Sequence, residues 1–210
     1  MARHTGPVCR LCRKEGQKLF LKGTRCHSPK CTMEKKDYPP GHHGSQRRGR
    51  RRPTDYALQL REKQKLRAIY GVLERQFARY VKRALSAKGV TGMELLQVLE
   101  RRLDSVLRKS GFAHSQAQAR QIVRHRHFTV NGRIVDIPSF LVSAGDVIQL
   151  REKSRELQPV VAGLASGPRD AVGWLEIDPE ARRITIKRLP EAGDIAVDVD
   201  EQQVVEFYAR

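Results

Sequence analysis

Residues 115–135 read SQAQARQIVRHRHFTVNGRIV, and this stretch decides the fold. Ser115 followed by Gln118 favours the start of a helix, and apolar residues at helical spacing continue it. The pattern then changes to alternation around Asn131-Gly132, a pair that favours a tight hairpin because both residues tolerate positive φ. The stretch therefore predicts a helix followed by a β-hairpin.

Helical periodicity also precedes this stretch. A helix is predicted to begin at Thr54 and to end at Gly71, and a second helix follows it. Thr91 is predicted to cap a third helix, whose leucine-rich core face continues to Leu107.

Four further predictions concern the chain after the hairpin. Residues 154–169 are predicted to be a linker or surface loop, and a second hairpin is expected around Asp178-Pro179. The segment from Glu201 to Tyr208 is expected to be helical. Short strands are predicted at the positions of Phe140, Val142, Val147, Ile148 and Leu150.

Charge is distributed unevenly along the chain. The 210 residues carry a formal net charge of +18 at pH 7. The excess lies in residues 1–165, whereas residues 166–210 carry a net charge of −4. A basic chain of this kind attracts a polyanion, so the composition predicts a nucleic-acid partner. The acidic tail is expected to face away from the phosphates.

The sequence lacks the marks of several other protein classes. No apolar run approaches the roughly 20 residues that a membrane-spanning helix needs, and no secretory signal is evident. We therefore expect a cytoplasmic protein without membrane contact. Phosphate-binding loops, dinucleotide fingerprints and nucleophile elbows are also missing from the sequence. A binding protein rather than an enzyme is expected.

All four cysteines lie near the N-terminus, with the spacing C-x2-C-x13-C-x4-C. Thiolates are soft ligands, and two close pairs can complete a tetrahedron around one Zn(II) ion. Cytosolic conditions disfavour disulfides, but two disulfides, an iron–sulfur cluster or free buried thiols are the alternatives to zinc. The predicted metal ligands are Cys9, Cys12, Cys26 and Cys31.

An extended arm is predicted between the cysteines and the first long helix. Residues 38–44 are rich in proline and glycine, which stop helices, and residues 47–52 are nearly all arginine. Mutual repulsion keeps such a run open until phosphates neutralise it; a disordered basic tail is the alternative. RNA suits this arm better than DNA, because the junctions of folded RNA admit an extended arginine segment.

Several segments, taken in order, resemble one protein family. They are GPVCRLCR at residues 6–13, YPPGHHG at 38–44, DY at 55–56, LREKQK at 60–65, RLD at 102–104, QARQ at 118–121, VNGR at 130–133 and EFY at 206–208. Together they resemble the small-subunit ribosomal protein S-four (uS-four) family of bacteria, in its zinc-binding four-cysteine form.

The resemblance implies an α+β fold. This fold would combine a mainly helical lobe and a small helix–helix–β-hairpin RNA-binding module with an N-terminal zinc knuckle and an extended basic arm. The implied divisions are 1–53 for the zinc knuckle and basic arm, 54–99 for the helical lobe, 100–165 for the RNA-binding module, and 166–210 for an acidic hairpin and helix that pack back on the helical lobe.

The resemblance also implies a function and partners. Members of the family are structural constituents of the small ribosomal subunit. They bind a multi-helix junction in the 5′ domain of small-subunit rRNA and nucleate assembly. They lie beside protein S-five, with which they contribute to translational accuracy, and near the mRNA entrance. One Zn(II) ion is the implied cofactor.

The charge pattern and the resemblance together give a predicted RNA-binding set. Its members are Arg47, Arg48, Arg50, Arg51, Arg52, Arg61, Lys63, Lys65, Arg120, Arg124, His125, Arg126, His127 and Arg133. Two other classes of protein were considered. A zinc-containing DNA regulator would need a recognition helix and usually a dimerisation seam, and neither is evident. An RNA-modifying enzyme would need a catalytic domain, which the basic residues 1–99 do not supply.

Overall fold

The structure of the protein is a computed structural model that describes residues 3–45, 52–167 and 173–209. Within these segments, every helix is too short or too polar to span a lipid bilayer. The helices are α1 (Cys9–Glu15), α2 (Thr32–Lys35), α3 (Asp55–Ile69), α4 (Glu74–Leu85), α5 (Thr91–Glu100), α6 (Leu103–Lys109), α7 (Gln116–Arg124), α8 (Gln158–Ala165) and α9 (Glu201–Tyr208). The strands are β1 (Phe128–Val130), β2 (Arg133–Ile134), β3 (Val147–Leu150), β4 (Leu175–Asp178) and β5 (Arg183–Ile186).

The chain divides into two compact units. The helical unit comprises Met1–Gly92 together with Asp198–Arg210, and the sheet unit comprises Met93–Val197. These boundaries differ from the predicted divisions, because most of α5 and the whole second hairpin belong to the sheet unit. The mixture of helices with a small antiparallel sheet agrees with the predicted α+β class.

Helices α3 and α9 pack against each other in the helical unit. Thr54 caps α3 as predicted, since its hydroxyl accepts the N–H of Ala57 at 3.3 Å. The last helix packs on α3, where the side-chain amide of Gln59 donates to Glu206 at 2.9 Å. The predicted contact of the C-terminal helix with the helical lobe is therefore confirmed.

The sheet unit contains one antiparallel sheet with the strand order β2-β1-β3-β5-β4. Asn131 and Gly132 take φ values of 50° and 76°, so the predicted hairpin between β1 and β2 is confirmed. The strands alternate, and one face packs on α6 and α7. The buried core includes Leu103, Val106, Phe112, Val123, Phe128, Ile148, Ile184 and Ile186.

The second hairpin extends this sheet. β5 pairs with β3, so that Ile148 lies opposite Ile184. Trp174, at the start of the hairpin, is fully buried in the same core. Residues 166–210 were predicted to pack back on the helical lobe as one piece, and in the structure their hairpin and their helix belong to different units. Without β5, the edge of β3 and the apolar inner face of the sheet would be exposed to solvent, and the pairing with β5 covers both.

A helix replaces the predicted linker at residues 154–169. Helix α8 begins beside Pro159, which is compatible with the first turn of a helix, and buries Val160 in the core. Gly163 permits close packing, because a Cβ at this position would lie 2.4 Å from the carbonyl oxygen of Gly111. The linker prediction was wrong because the core residues that α8 contacts are distant from it in the sequence, so the local pattern did not indicate a buried helix.

The leucine-rich helix that begins at Thr91 does not run on to Leu107. Arg102 is extended, with ψ of 137°, and separates α5 from α6. The N–H of Leu103 donates to the carbonyl of Phe140 at 2.8 Å, which anchors this break. The predicted strand around Phe140 is consequently reduced to a single bridge between Arg102 and Leu141.

Candidate nucleic-acid interface

A basic corner joins the end of α7 to β1. Arg124 and His125 are exposed, and Arg126 takes a left-handed φ of 62° that turns the chain towards β1. The side chain of Arg126 is 66% exposed, and its Nε donates to Asp136 at 3.1 Å. Arg133 is exposed on the neighbouring strand. Four predicted residues are therefore exposed in the turn after α7 and in the β1–β2 hairpin that follows it, and we call this group the α7 corner.

His127 lies behind this corner and is less accessible. Its Nδ1 is 2.8 Å from the hydroxyl of Ser154, which joins β1 to the turn after β3. Partial burial lowers the pKa of His127, and the nearby His125 and Arg151 lower it further. A neutral imidazole that holds a hydrogen bond has mainly a structural role. His127 therefore contributes less positive charge to the surface than the sequence pattern indicated.

Arg120 has a structural role that differs from the predicted RNA contact. Its side chain is buried, and its Nη1 lies 3.8 Å from Asp104 Oδ2. Arg102 donates to the same carboxylate, from Nε at 2.9 Å and from Nη2 at 2.6 Å. These three residues form the buried ion network, which connects α7 to the beginning of α6. Phosphate cannot reach a guanidinium in this position without rearrangement of the core.

Two lysines of α3 are likewise buried instead of facing RNA. Lys63 Nζ lies 3.0 Å from Glu74 Oε1 and 4.4 Å from the ring centroid of Phe207. Tyr208 donates to the same Glu74 oxygen at 2.6 Å. Burial alone would raise the pKa of Glu74, but the hydrogen bonds from Tyr208 and Lys63 lower it. The cluster fastens α9 to the helical unit.

Lys65 also has a carboxylate partner. Its Nζ is 2.9 Å from Glu62 Oε1, and its side chain is 10% exposed. Arg61, by contrast, is exposed on the same helix. Of the three basic residues that were predicted on α3, Arg61 is the one whose side chain is free to meet a ligand at the surface.

The arginine arm falls mostly outside the described residues. Arg47, Arg48, Arg50 and Arg51 lie in that part, and Arg52 is exposed at its edge. The preceding turn is held by Arg13, whose guanidinium donates to the carbonyls of Tyr38 at 2.9 Å and Pro39 at 3.1 Å.

The four cysteines show several features of a thiolate site. Cys12, Cys26 and Cys31 are buried, and the N–H of Lys22 donates to Cys26 Sγ at 3.3 Å. Burial raises the pKa of the Cys12 thiol, an N–H from Leu19 opposes this, and the other three cysteines raise it further. Among the residues that the structure describes, however, no three side chains of ligand type are arranged to hold a metal ion. Four cysteine thiolates suit zinc chemically, but the described side chains are not arranged around a metal position. Zinc binding by these cysteines therefore stays a prediction.

Three exposed or half-exposed cations of the sheet unit were absent from the predicted set. Arg151 and Lys153 follow β3, and Arg183 begins β5. Arg151 Nη1 donates to the carbonyl of Arg126 at 3.0 Å, which ties the end of β3 to the α7 corner. Arg151 and Lys153 could have been found from the sequence, because they follow an alternating strand as part of a basic run. The position of Arg183 could not, because it depends on strand pairing.

Comparisons with known proteins agree with this architecture. Residues 3–100 match the ribosomal protein S4/S9 N-terminal domain, and residues 101–148 match the S4 domain. The chain is 58% identical to the small ribosomal subunit protein uS4A of Symbiobacterium thermophilum, over the full length of both. It is 55% identical to the small ribosomal subunit protein uS4 of Thermus thermophilus and 53% identical to that of Geobacter sp., again over both full lengths. With this similarity along its whole length and with both domains present, the chain belongs to the uS4 family of small ribosomal subunit proteins.

Proposed function

We propose that this protein is a non-catalytic, structural constituent of the small subunit of the cytoplasmic ribosome and that it binds rRNA. Its relatives in the uS4 family carry names of small ribosomal subunit proteins. The observation that carries the proposal is the α7 corner, where Arg124, His125, Arg126 and Arg133 are exposed together within a matched S4 domain. Guanidinium groups on a rigid turn bind phosphate oxygens and stack on bases.

The RNA target we propose is a multi-helix junction in the 5′ domain of small-subunit rRNA, bound early in subunit assembly. The arginine run at residues 47–52 supports this, because an extended cationic segment can enter a junction between RNA helices. The helical unit adds Arg61 as an exposed cation. The matched N-terminal domain, residues 3–100, covers both the arginine run and Arg61.

A protein partner is part of the proposal. The edge strand β4 presents Glu176 and Asp178, which are at least partly exposed and suit a basic neighbour. We assign this partner to protein S-five and connect the contact to translational accuracy, on the strength of the family resemblance. A contact with mRNA near its entrance to the ribosome belongs to the same proposal.

The α7 corner is expected to supply discrimination among RNA molecules. Replacing Arg124 and Arg126 with glutamine should weaken binding to the 5′-domain junction more than binding to an unrelated RNA duplex, because the corner faces a folded site. Filter binding or calorimetry with both RNAs measures the ratio of the two affinities. The control variant replaces Lys82 and Arg83, which are exposed on α4, with glutamine. Equal losses for both RNAs would contradict the assignment.

The arm is expected to act mainly through phosphate neutralisation. Replacing the five arginines between residues 47 and 52 with glutamine should flatten the dependence of log affinity on log salt concentration. Each lost phosphate contact removes about one unit of that slope. The measurement is a salt titration of binding to the junction. An unchanged slope would mean that the arm makes no phosphate contact.

We also propose that Cys9, Cys12, Cys26 and Cys31 hold one Zn(II) ion as thiolates. Support comes from the burial of three thiols and from the N–H donor to Cys26. Bound zinc would cross-link the N-terminal segment, and structural zinc in small sites contributes on the order of 10 kcal/mol of apparent binding energy.

Metal analysis tests the zinc proposal directly. Protein that is purified without added metal should contain one zinc per chain, and chelation should unfold the N-terminal segment while the sheet unit keeps its own core. Elemental analysis and hydrogen exchange measure the two effects. Iron with visible absorbance, or protein without metal, would contradict the proposal.

A further inference from the structure

One face of the sheet is polar and open to solvent. Thr129 lies opposite Gln149 in the β1–β3 pairing, and Gln149 lies opposite Arg183 in the β3–β5 pairing. The residues that flank these three along their strands include buried core residues, so the three side chains share the outer face. They form a row across the centre of the sheet.

A groove lies beside Thr129 and Gln149 of this row, at the end of β3. It has a volume of about 370 Å³ and opens to solvent. Its walls come from β1, from β3 and from the short turn after β3. The lining residues are Thr129, Gln149, Leu150, Arg151, Glu152 and Lys153.

The groove has a positive balance. Arg151 and Lys153 face one carboxylate, Glu152, and Lys153 forms no ion pair with any residue that the structure describes. Arg183 adds a third cation, because it lies directly beside Gln149 in the register. Its nearest carboxylate, Asp178, is 3.7 Å away with both side chains about half exposed, so this pair is weak.

A fourth cation, Arg182, adjoins the groove through its backbone. The carbonyl of Arg182 accepts the N–H of Leu150 at 3.1 Å, and Arg182 takes a left-handed φ of 52°. Its Nη1 is buried and has no hydrogen-bond acceptor among the described residues. Two arginines of the nominally acidic tail are therefore brought to the basic side of the sheet by strand pairing.

The charge of the outer face changes from acidic at β4 to basic at the end of β3. Glu176 and Asp178 lie on the edge strand β4, and Glu176 faces Lys187 at 3.8 Å. The cations accumulate at the opposite side, towards β3 and β1. Arg151 connects that side to the α7 corner through its hydrogen bond to the carbonyl of Arg126. A ligand in the groove would therefore continue the surface already proposed for rRNA.

We propose that the groove at the end of β3 binds phosphate of an RNA backbone and forms a second RNA contact of the sheet unit. This inference rests on the proposed rRNA binding. Lys153 and Arg183 supply charge, and the amide of Gln149 supplies a hydrogen-bond donor for a phosphate oxygen. Contacts of this kind fix the orientation of the protein on RNA without reading its sequence. RNA is favoured over an acidic protein because the groove continues into the α7 corner.

The test is a matched pair of double variants of the full-length protein. Lys153→Gln with Arg183→Gln changes the groove, and Lys187→Gln with Lys82→Gln removes the same charge elsewhere. Both are titrated with the 5′-domain junction RNA over a range of salt concentrations. The groove variant should lose one to two units of salt slope, at about one unit per phosphate contact, whereas the control should keep the slope of the parent. Circular dichroism confirms that both variants are folded.

A second readout does not depend on substitution. Acetylation of lysines in the parent protein, followed by mass spectrometry, should show that the junction RNA protects Lys153 and leaves Lys187 reactive. A folded groove variant with the parent's salt slope, or a reactive Lys153 in the RNA complex, would overturn the inference. In particular, protection of Lys153 by an acidic partner protein alone would assign the groove to protein binding. A parent protein that fails to bind the junction would instead overturn the proposed function.

Discussion

Truncation of the chain after Gly167 is expected to unfold the sheet unit and thereby to remove the RNA contacts of the α7 corner. By charge alone, residues 166–210 look separable from the rest of the chain, because they are acidic and the rest is basic. In the structure, β5 and β4 are the last two strands at one side of the sheet, and β5 is hydrogen-bonded to β3. Loss of these strands would expose the edge of β3 and the inner face that they cover.

The energetic effect of this truncation is expected to be as large as the stability of a typical domain. The removed strands carry buried core side chains, and deleting a large buried side chain costs about 2–5 kcal/mol. A domain has a total free energy of unfolding of about 5–15 kcal/mol. The deleted core side chains are Trp174, Leu175, Ile184 and Ile186.

A shorter truncation provides the control. Ending the chain at Val197 keeps the whole sheet unit and removes α9, which packs on α3. This variant should retain a cooperatively folded sheet unit, while the helical unit loses Phe207 and Tyr208, whose rings lie beside Lys63. Hydrogen exchange resolves the two units. A sheet unit that stays protected after truncation at Gly167 would contradict the account of the core.

Substitution of Asp104 is expected to have the second largest effect. Its carboxylate is buried between Arg102 and Arg120, with the bidentate contact to Arg102 at 2.9 and 2.6 Å. Replacing Asp104 with leucine leaves two buried guanidinium groups without their counter-ion. Removing one partner of a buried ion pair costs about 3–5 kcal/mol, because the remaining charge is desolvated.

An exposed ion pair gives the matched control for Asp104. Asp136 also accepts a hydrogen bond from an arginine, at 3.1 Å, but that arginine, Arg126, is 66% exposed. Replacing Asp136 with leucine should cost less than about 1 kcal/mol. Urea unfolding of the parent and the two variants measures both free energies. Similar values for the two variants would mean that the buried ion network is not a major source of stability.

The sequence was sufficient where the determining interactions are local. The positive φ values of Asn131 and Gly132 follow from the residue types, and the hydroxyl of Ser115 accepts the N–H of Gln118 at 3.3 Å as a helix cap. The exposed cations of the α7 corner follow from the same short stretch. Each of these features depends on neighbours within a few residues.

Long-range pairing explains the parts that were missed. In the sequence Arg120 and Lys63 have the pattern of surface cations. In the fold, Arg120 lies beside Asp104, and Lys63 lies beside Phe207 of α9. Arg183 reaches the basic side of the sheet only through its pairing with β3. Charge in a sequence therefore predicts attraction to RNA, but it does not tell which cations are already neutralised inside the fold.

Chemical footprinting on small-subunit rRNA tests the central claim most directly. The parent protein is expected to protect nucleotides of one multi-helix junction in the 5′ domain, and the variant with glutamine at positions 124 and 126 should lose protection there. The Lys82 and Arg83 variant should give the parent's pattern. Protection that is absent, or that is spread evenly along the rRNA, would contradict the assignment of this protein as a specific rRNA-binding constituent of the small subunit.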